Sequence, residues 1–439
     1  MSDHLRIVML SVHTCPLATL GGKETGGMNV YVRDLSRELV RRGHQVDVYT
    51  RSQNPNIPRI SQKLGTGARV IHLPAGPERP YDKHRVHDHL PEFVEGVLAQ
   101  AESDDIEYDV IHSHYWLSGA AAQLLRGNWG APLVHMFHTL GKMKNFVAEE
   151  RPREQETERR VAVEMDIVDF ADALIAATPA EEDQLTQLYG ADPGRIHVIS
   201  PGVDVDRFHP IPAAHAKDRI AICPDRRIIL FVGRIEPLKG IDNLLRAIAR
   251  IVDRLPELRD GLCVPIIGGE PHRVDEDDEM IRLQELREEL GIRDVVTFLG
   301  SKNQDTLQYY YSAAEMVVMP SDYESFGLVA LEAMACGTPV IASDVGGLSF
   351  LVKDGRTGYR VPAGDIEGLA EKIGHLLTNE LSRRRIGQRA ECWAETYAWA
   401  NIAEQIECVY SQVMAGTETV VPSNNERCHS PSAPPVPCR

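Results

Sequence analysis

The chain has 439 residues, too many for one ordinary domain and enough for two α/β domains with sizeable cores. A composition of 43% hydrophobic and 25% charged residues excludes wholesale disorder. The net charge of −17 argues against nonspecific nucleic-acid binding, which needs a basic surface, but leaves room for a small anion held by a few local cations.

Leu5 to Leu10 reads as a first core strand rather than a signal peptide, since its apolar run is short. Val30 to Arg42 carries Val30, Val32, Leu35 and Leu39 at helical spacing and stops at Gly43. Strands follow at Gln45 to Thr50 and Ala68 to Leu73, a helix at Pro91 to Ala101, and a buried strand at Val110 to His112 leading into a helix through Leu125. Leu133 to His138 is a strand, Glu154 to Ala171 a helix, Ala173 to Ala177 a strand, Ala180 to Tyr189 a helix and His197 to Ser200 a strand.

A second series begins after Pro201. Its strands are Ile228 to Val232, Val264 to Ile267, Val295 to Phe298, Met316 to Met319 and Val340 to Ala342. Its helices are Ile241 to Arg254, Glu276 to Leu290, Thr306 to Ala314, Leu328 to Cys336, Leu369 to Leu377 and a long one over Leu381 to Val413. Short apolar strands alternating with helices mean parallel sheets covered on both faces. The expected architecture is two doubly wound, Rossmann-like domains facing a cleft. The first spans 1–200, completed by a helix at 395–415, and the second spans 201–394. The tail 416–439 is rich in Pro, Ser, Asn and Thr and is expected to be disordered.

No two of the eight cysteines have C-x-x-C spacing, so free thiols in a reducing cytoplasm are expected. No apolar run approaches the roughly 20 residues that span a bilayer, so no integral membrane association is expected.

Ser321 to Gly327 is a polar turn between a strand and the helix from Leu328. That helix start offers free N–H groups and a positive dipole end, which suit phosphate. Glu324 lies on the turn, and Glu332 about one turn into the helix, where a diol such as ribose can donate to it. Phe231 to Val232 likewise ends a strand before Gly233-Arg234-Ile235-Glu236-Pro237-Leu238-Lys239-Gly240, and Arg234 and Lys239 are placed to hold a pyrophosphate. Asp344-Val345-Gly346-Gly347 is a weaker signal, a glycine pair that lets backbone N–H groups approach a ligand.

In the first half, Gly26-Gly27-Met28-Asn29 opens a helix without the G-x-G-x-x-G fingerprint, which disfavours a nicotinamide cofactor. His112-Ser113-His114-Tyr115-Trp116 and His135-Met136-Phe137-His138-Thr139 each end a strand. A His cluster raises the question of a metal, but no neighbouring carboxylate or Cys completes a ligand set, so none is expected. Lys83, Tyr115, Thr139 and Arg159 or Arg160 offer cations and hydroxyls suited to a phosphate.

Glu324, seven residues, Glu332, then Ala333-x-Ala335-x-Gly337-x-Pro339, with the Arg234 and Lys239 segment, resembles the retaining glycosyltransferases of family 4, which have the GT-B fold. The resemblance covers about residues 5 to 415. It implies that His138, Arg234, Lys239 and Glu324 surround the reacting centre. It also implies that Gly27, Arg234, Lys239, Phe326, Gly327, Leu328 and Glu332 bind the nucleotide sugar. That donor is a co-substrate, and neither cofactor nor metal is implied.

The runs Gly26-Gly27-Met28-Asn29-Val30, His112 to Gly119, and His138-Thr139-Leu140 with Lys144-Asn145 resemble the inositol-phosphate glycosyltransferases of mycothiol synthesis. That implies an acceptor site of Asn29, Lys83, Tyr115, Thr139, Arg159 and Arg160 for a small phosphorylated polyol, with a UDP-sugar favoured as donor. Sucrose-phosphate synthases, with a fructose 6-phosphate acceptor, are similar but usually carry Gln where Met28 stands. A nucleotide-sugar hydrolase or epimerase and a lipid-directed transferase are the other readings. A monomer or homodimer is expected.

Overall fold

The structure is a computed structural model that describes residues 4–18, 26–147, 156–269 and 278–416. The described chain divides into two compact units. One holds residues 4–18, 27–147, 156–201 and 399–416, and the other residue 26 with 202–269 and 278–398.

The first unit is built on one eight-stranded sheet. Its strands are β1 (Arg6–Leu10), β2 (Gln45–Arg51), β3 (Ile60–Ser61), β4 (Ala68–Leu73), β5 (Val110–His114), β6 (Leu133–Met136), β7 (Ala173–Ala176) and β8 (Ile196–Val198). They lie in the order β3-β4-β2-β1-β5-β6-β7-β8, all parallel except β3, which runs antiparallel to β4. The chain grows outward from β1 through β2 to β4, then returns to β1's other side with β5, where Ile7 pairs with Val110. The sheet's switch point therefore lies between β1 and β5, and ligands of such sheets bind at the carboxyl ends there. Ile7, Val8, Met9 and Leu10 are wholly buried, as a strand covered on both faces requires.

The second unit has six parallel strands: β9 (Arg227–Val232), β10 (Leu262–Ile267), β11 (Val296–Phe298), β12 (Met316–Met319), β13 (Val340–Ser343) and β14 (Gly358–Val361). Their order is β11-β10-β9-β12-β13-β14, so the switch point lies between β9 and β12. The amphipathic helix Ile241–Arg254 packs Leu244, Leu245, Ile248 and Ile251 against this sheet. Two parallel-sheet α/β units are what the alternating pattern implied.

The long helix expected over 381–413 is two helices, Glu380–Glu395 and Trp399–Gly416. No Gly or Pro marks the break. It is tertiary: the Tyr397 carbonyl accepts from Val203 N–H at 2.8 Å, and the Tyr397 ring packs near Phe326 and Trp393. The helix Trp399–Gly416 belongs to the first unit, where Tyr31 meets Trp399 edge-on, and Tyr410 O–H lies 2.7 Å from His112 Nδ1. β14 had no sequence signal because it opens on Gly358. A Cβ there would lie 2.1 Å from the Val340 carbonyl oxygen, so the glycine serves close strand approach rather than a loop. Cys15, Cys223, Cys263, Cys336 and Cys392 are free thiols, whereas Cys408 is disulfide-bonded. That corrects the expectation of free thiols throughout, which rested on the absence of C-x-x-C spacing, and a disulfide needs no such spacing. The 416–439 tail expectation falls, beyond Gly416, outside the described residues. No helix among the described residues is long and apolar enough to cross a membrane.

Tyr410→Phe removes the hydroxyl that meets the buried His112 ring, whose Nε2 has no hydrogen-bond partner among the described residues. It should lower stability by about 1–3 kcal/mol, read by urea denaturation of the full chain.

Candidate active site

In the second unit the loops leaving β9 and β12 meet at the switch point. Lys239, in the short turn Pro237–Lys239, donates from Nζ to Glu324 Oε2 at 2.5 Å, with both side chains largely buried. Arg234 pairs with Glu236 at 2.7 Å and is about one-third exposed. The loops touch through backbone. Asp322 N–H donates to the Leu238 carbonyl at 2.9 Å. Gly240, which begins the helix Ile241–Arg254 at φ +59°, lies so close that a Cβ would stand 2.1 Å from the Pro320 carbonyl oxygen.

In the glycine pair Gly346-Gly347, the Gly347 N–H donates to the Glu324 carbonyl at 2.9 Å and so fastens the Glu324 loop. A Cβ on Gly346 would strike the Glu324 carbonyl oxygen at 2.1 Å, and one on Gly347 the Phe326 Cα at 2.3 Å. Gly327, at φ +103°, caps the helix Leu328–Ala335, and Phe326 is buried beneath it. The Ser321 hydroxyl is buried beside these loops with no hydrogen-bond partner among the described residues.

Glu332 is buried and held by two groups missed in the sequence. Gln304 Nε2 donates to its Oε1 at 2.8 Å, and Tyr311 O–H to its Oε2 at 2.7 Å. Gln304 and Tyr311 are seven apart on one helix, hence on one face, which is the signal that could have found them.

In the first unit the carboxyl ends of β5 and β6 gather the predicted cations and hydroxyls. Arg160 is wholly buried. Its Nε donates to Glu164 at 2.7 Å and its Nη1 to Tyr115 Oη at 3.0 Å. Its Nη2 donates to the Thr139 carbonyl at 2.7 Å and hydroxyl at 3.1 Å. Lys83, from the short helix Lys83–Val86, reaches the same place, bonding Glu156 at 3.0 Å. Lys144 and Glu156 complete the cluster and were not read as site residues, although Lys144 stood in a quoted motif.

Arg159 does not join. It is exposed and pairs with Asp88 at 2.9 Å, so of the two adjacent arginines only Arg160 faces the cluster. Asn29 is also elsewhere: its amide donates to Thr14 Oγ1 and the Cys15 carbonyl, both at 2.7 Å, tying the loop after β1 to the helix Gly27–Arg41. Gly27 is the exposed first residue of that helix.

His138 adopts φ +61° and Tyr115 φ +74°, a region few non-glycine residues enter. Such strain collects at functional sites. His138 Nε2 lies 3.1 Å from His114 Nδ1, and its ring meets Tyr31 edge-on. Burial, with the neighbouring His112 and His13 adding to it, pushes the His138 pKa down to about 3, so its imidazole is neutral at pH 7. Burial likewise lowers His13, His112, His114 and His135. Among the described residues no group of three or more His, Cys, Asp or Glu is arranged to hold a metal ion.

Two parallel-sheet units, each with polar groups gathered at the carboxyl ends of its strands, define a GT-B glycosyltransferase. The family model for Glycosyltransferase Family 4 matches residues 25–207, and that for Glycosyl transferases group 1 matches residues 214–393. The chain is 43% identical over 408 residues to D-inositol 3-phosphate glycosyltransferase 2 of Catenulispora acidiphila, covering 93% of this chain and 95% of that one. It is 41% identical over 409 residues to D-inositol 3-phosphate glycosyltransferase of Actinosynnema mirum, covering 93% and 97%. Among solved structures, sucrose-phosphate synthase from Thermosynechococcus elongatus superposes with a TM-score of 0.85 at 37% identity, covering 94% of this chain and 100% of that one. The chain belongs to the family-4 glycosyltransferases and is an enzyme of that class.

Gly240→Ala forces a side chain into a left-handed residue pressed on the Pro320 carbonyl. It should lower stability by about 2 kcal/mol or more. A thermal melt of the purified variant checks this.

Proposed function

We propose that the chain moves a hexosyl group from a nucleotide sugar, a UDP-sugar being favoured, to a small phosphorylated polyol of the inositol-phosphate type, with retention at the anomeric carbon. The observation that carries this reading is the convergence of Lys83, Arg160, Tyr115 and Thr139 at one spot in the first unit. Cations and hydroxyls together suit a phosphate. The likeness to D-inositol 3-phosphate glycosyltransferases, over nearly their whole length, supports it.

In this reading Arg234, Lys239 and the start of the helix at Leu328 receive the donor diphosphate, with Gly27 approaching it. Phe326, Gly327 and Leu328 line the donor, Glu332 takes the ribose diol, and Glu324 the hexose hydroxyls. His138, neutral, hydrogen-bonds the hexose. The bond from the anomeric carbon to the diphosphate oxygen breaks, and a bond to the acceptor oxygen forms on the same face. The acceptor's proton passes to the departing phosphate oxygen. The cations stabilise charge as it gathers on that leaving group, which is electrostatic catalysis. Neither metal nor resident cofactor is needed in this scheme.

A second reading, transfer to fructose 6-phosphate, draws on the likeness to sucrose-phosphate synthase. Both acceptors carry a phosphate and would use the same cradle. A matrix of UDP-, GDP- and ADP-sugars against inositol phosphate, fructose 6-phosphate and unphosphorylated polyols, with the product anomer read by NMR, separates them. Equal use of phosphorylated and unphosphorylated acceptors would sink the cradle.

Lys239→Ala should lower kcat about a hundredfold while the chain stays folded by circular dichroism. Lys83→Met should raise the acceptor KM about tenfold and spare the donor KM. Arg159→Ala, away from the cluster, should leave both KM values close to wild type.

A further inference from the structure

The acceptor cluster contains two carboxylates, and they are held in different ways. Glu164 is fully satisfied. Its oxygens accept from Arg160 Nε at 2.7 Å, Tyr189 O–H at 2.6 Å and Gly141 N–H at 2.9 Å. It is a fixed partner of the buried guanidinium.

Glu156 is not satisfied. Its Oε1 alone takes three cations: Arg160 Nη1 at 2.8 Å, Lys83 Nζ at 3.0 Å and Lys144 Nζ at 3.1 Å. Its Oε2 is buried with no hydrogen-bond partner among the described residues, and His84 Nε2 stands 3.6 Å away. The side chain is only 3% exposed. A buried acceptor without a donor is unfavourable. A carboxylate is therefore an imperfect guest among these donors.

A phosphate suits them better. It offers three terminal oxygens to Lys83, Lys144, Arg160 and the hydroxyls of Tyr115 and Thr139. The charge fits as well. With Glu164 set against Arg160 and Glu156 displaced, Lys83 and Lys144 leave two positive charges, the charge of a phosphate monoester above its second pKa of about 6.

The backbone of Glu156 is anchored independently of its side chain. Asn145 Oδ1 accepts from Glu156 N–H at 2.6 Å, and Asn145 Nδ2 donates to the Glu156 carbonyl at 3.2 Å. The carboxylate can swing while the chain stays in place. The pair Lys144-Asn145 thus serves Glu156 twice, through its charge and through its backbone.

We propose that Glu156 is an internal competitor of the acceptor phosphate, which binds by taking Lys83, Lys144 and Arg160 from its carboxylate. Lys144 is then a third cation of the acceptor site. The competition sets specificity, because a neutral hydroxyl compound cannot replace the carboxylate and a dianion can. This rests on the phosphate-cradle reading given above.

The test measures, in the full chain, the acceptor KM and the competitive inhibition constant of inorganic phosphate. Glu156→Gln keeps shape and removes charge. Both constants should fall about fivefold or more, with the donor KM unmoved. Glu156→Asp, which keeps the charge but withdraws it by one methylene, should give a smaller fall and guards against a Gln variant that fails to fold. Lys144→Met should raise both constants severalfold. A folded Glu156→Gln that binds phosphate no tighter than wild type, or more weakly, overturns the proposal, and so does a Glu156→Asp with unaltered or raised constants. If Lys83→Met also leaves the acceptor KM unchanged, the cradle reading itself has failed. If Lys83→Met acts and Glu156→Gln does not, only the competition is wrong.

Discussion

A guanidinium cannot lose its proton to escape burial, so a buried arginine must be surrounded by acceptors. Arg160 is wholly buried and meets this demand with Glu164, Glu156, Tyr115 and Thr139. The same demand draws together loops that are far apart in sequence. Thr139 follows β6, Tyr115 follows β5, and Glu156 and Arg160 precede β7. Lys83 and Lys144 arrive because Glu156 is there. The cluster is thus one electrostatic unit in which each charge is the reason for another. Glu156 stays ionised despite burial, because Arg160, Lys144 and Lys83 hold its carboxyl well below the usual range.

The second unit solves a different problem with different means. Its loops at the switch point are pinned mainly by backbone contacts that only glycine allows. Gly240 lies on the Pro320 carbonyl, and Gly346 and Gly347 lie on the Glu324 loop. Lys239 and Glu324 then meet across the gap between β9 and β12. Lys239 and Glu324 are thus presented from loops that cannot themselves drift, which is what preorganised electrostatics needs.

The fold was legible because strand and helix alternate with apolar runs of the right length, and the parallel sheets follow from that pattern. What escaped was set by tertiary contact. β3 has two residues and no period, β14 begins with a glycine, and the break at Tyr397 depends on a backbone bond to Val203. In the site, charged residues in conspicuous motifs were legible as candidates: Arg234, Lys239, Glu324 and Glu332. Several side chains around the sites were not. Gln304, Tyr311 and Glu156 sit in ordinary-looking segments and Lys144 in a motif that said nothing of its charge, and their roles arise from where the fold brings them. The choice between Arg159 and Arg160 was open in sequence because adjacent helix residues differ by about 100° in direction. Only packing decides which turns inward.

The two units also differ in how they meet positive φ. The second places glycines at its site turns, Gly240, Gly327 and Gly346, where no side chain is wanted. The first places Tyr115 and His138 in that region, each at a cost of about 1–2 kcal/mol relative to a relaxed backbone. A glycine would relieve the strain and forfeit the hydroxyl on Arg160 or the imidazole. The strained residues are also the ones held from several sides. Tyr115 is fixed by Arg160 at its hydroxyl and over its ring, and His138 by His114 and Tyr31. Strain persists only where surroundings over-determine it. The first unit therefore spends stability on the two side chains whose direction matters most, and the buried arginine is part of what makes that possible.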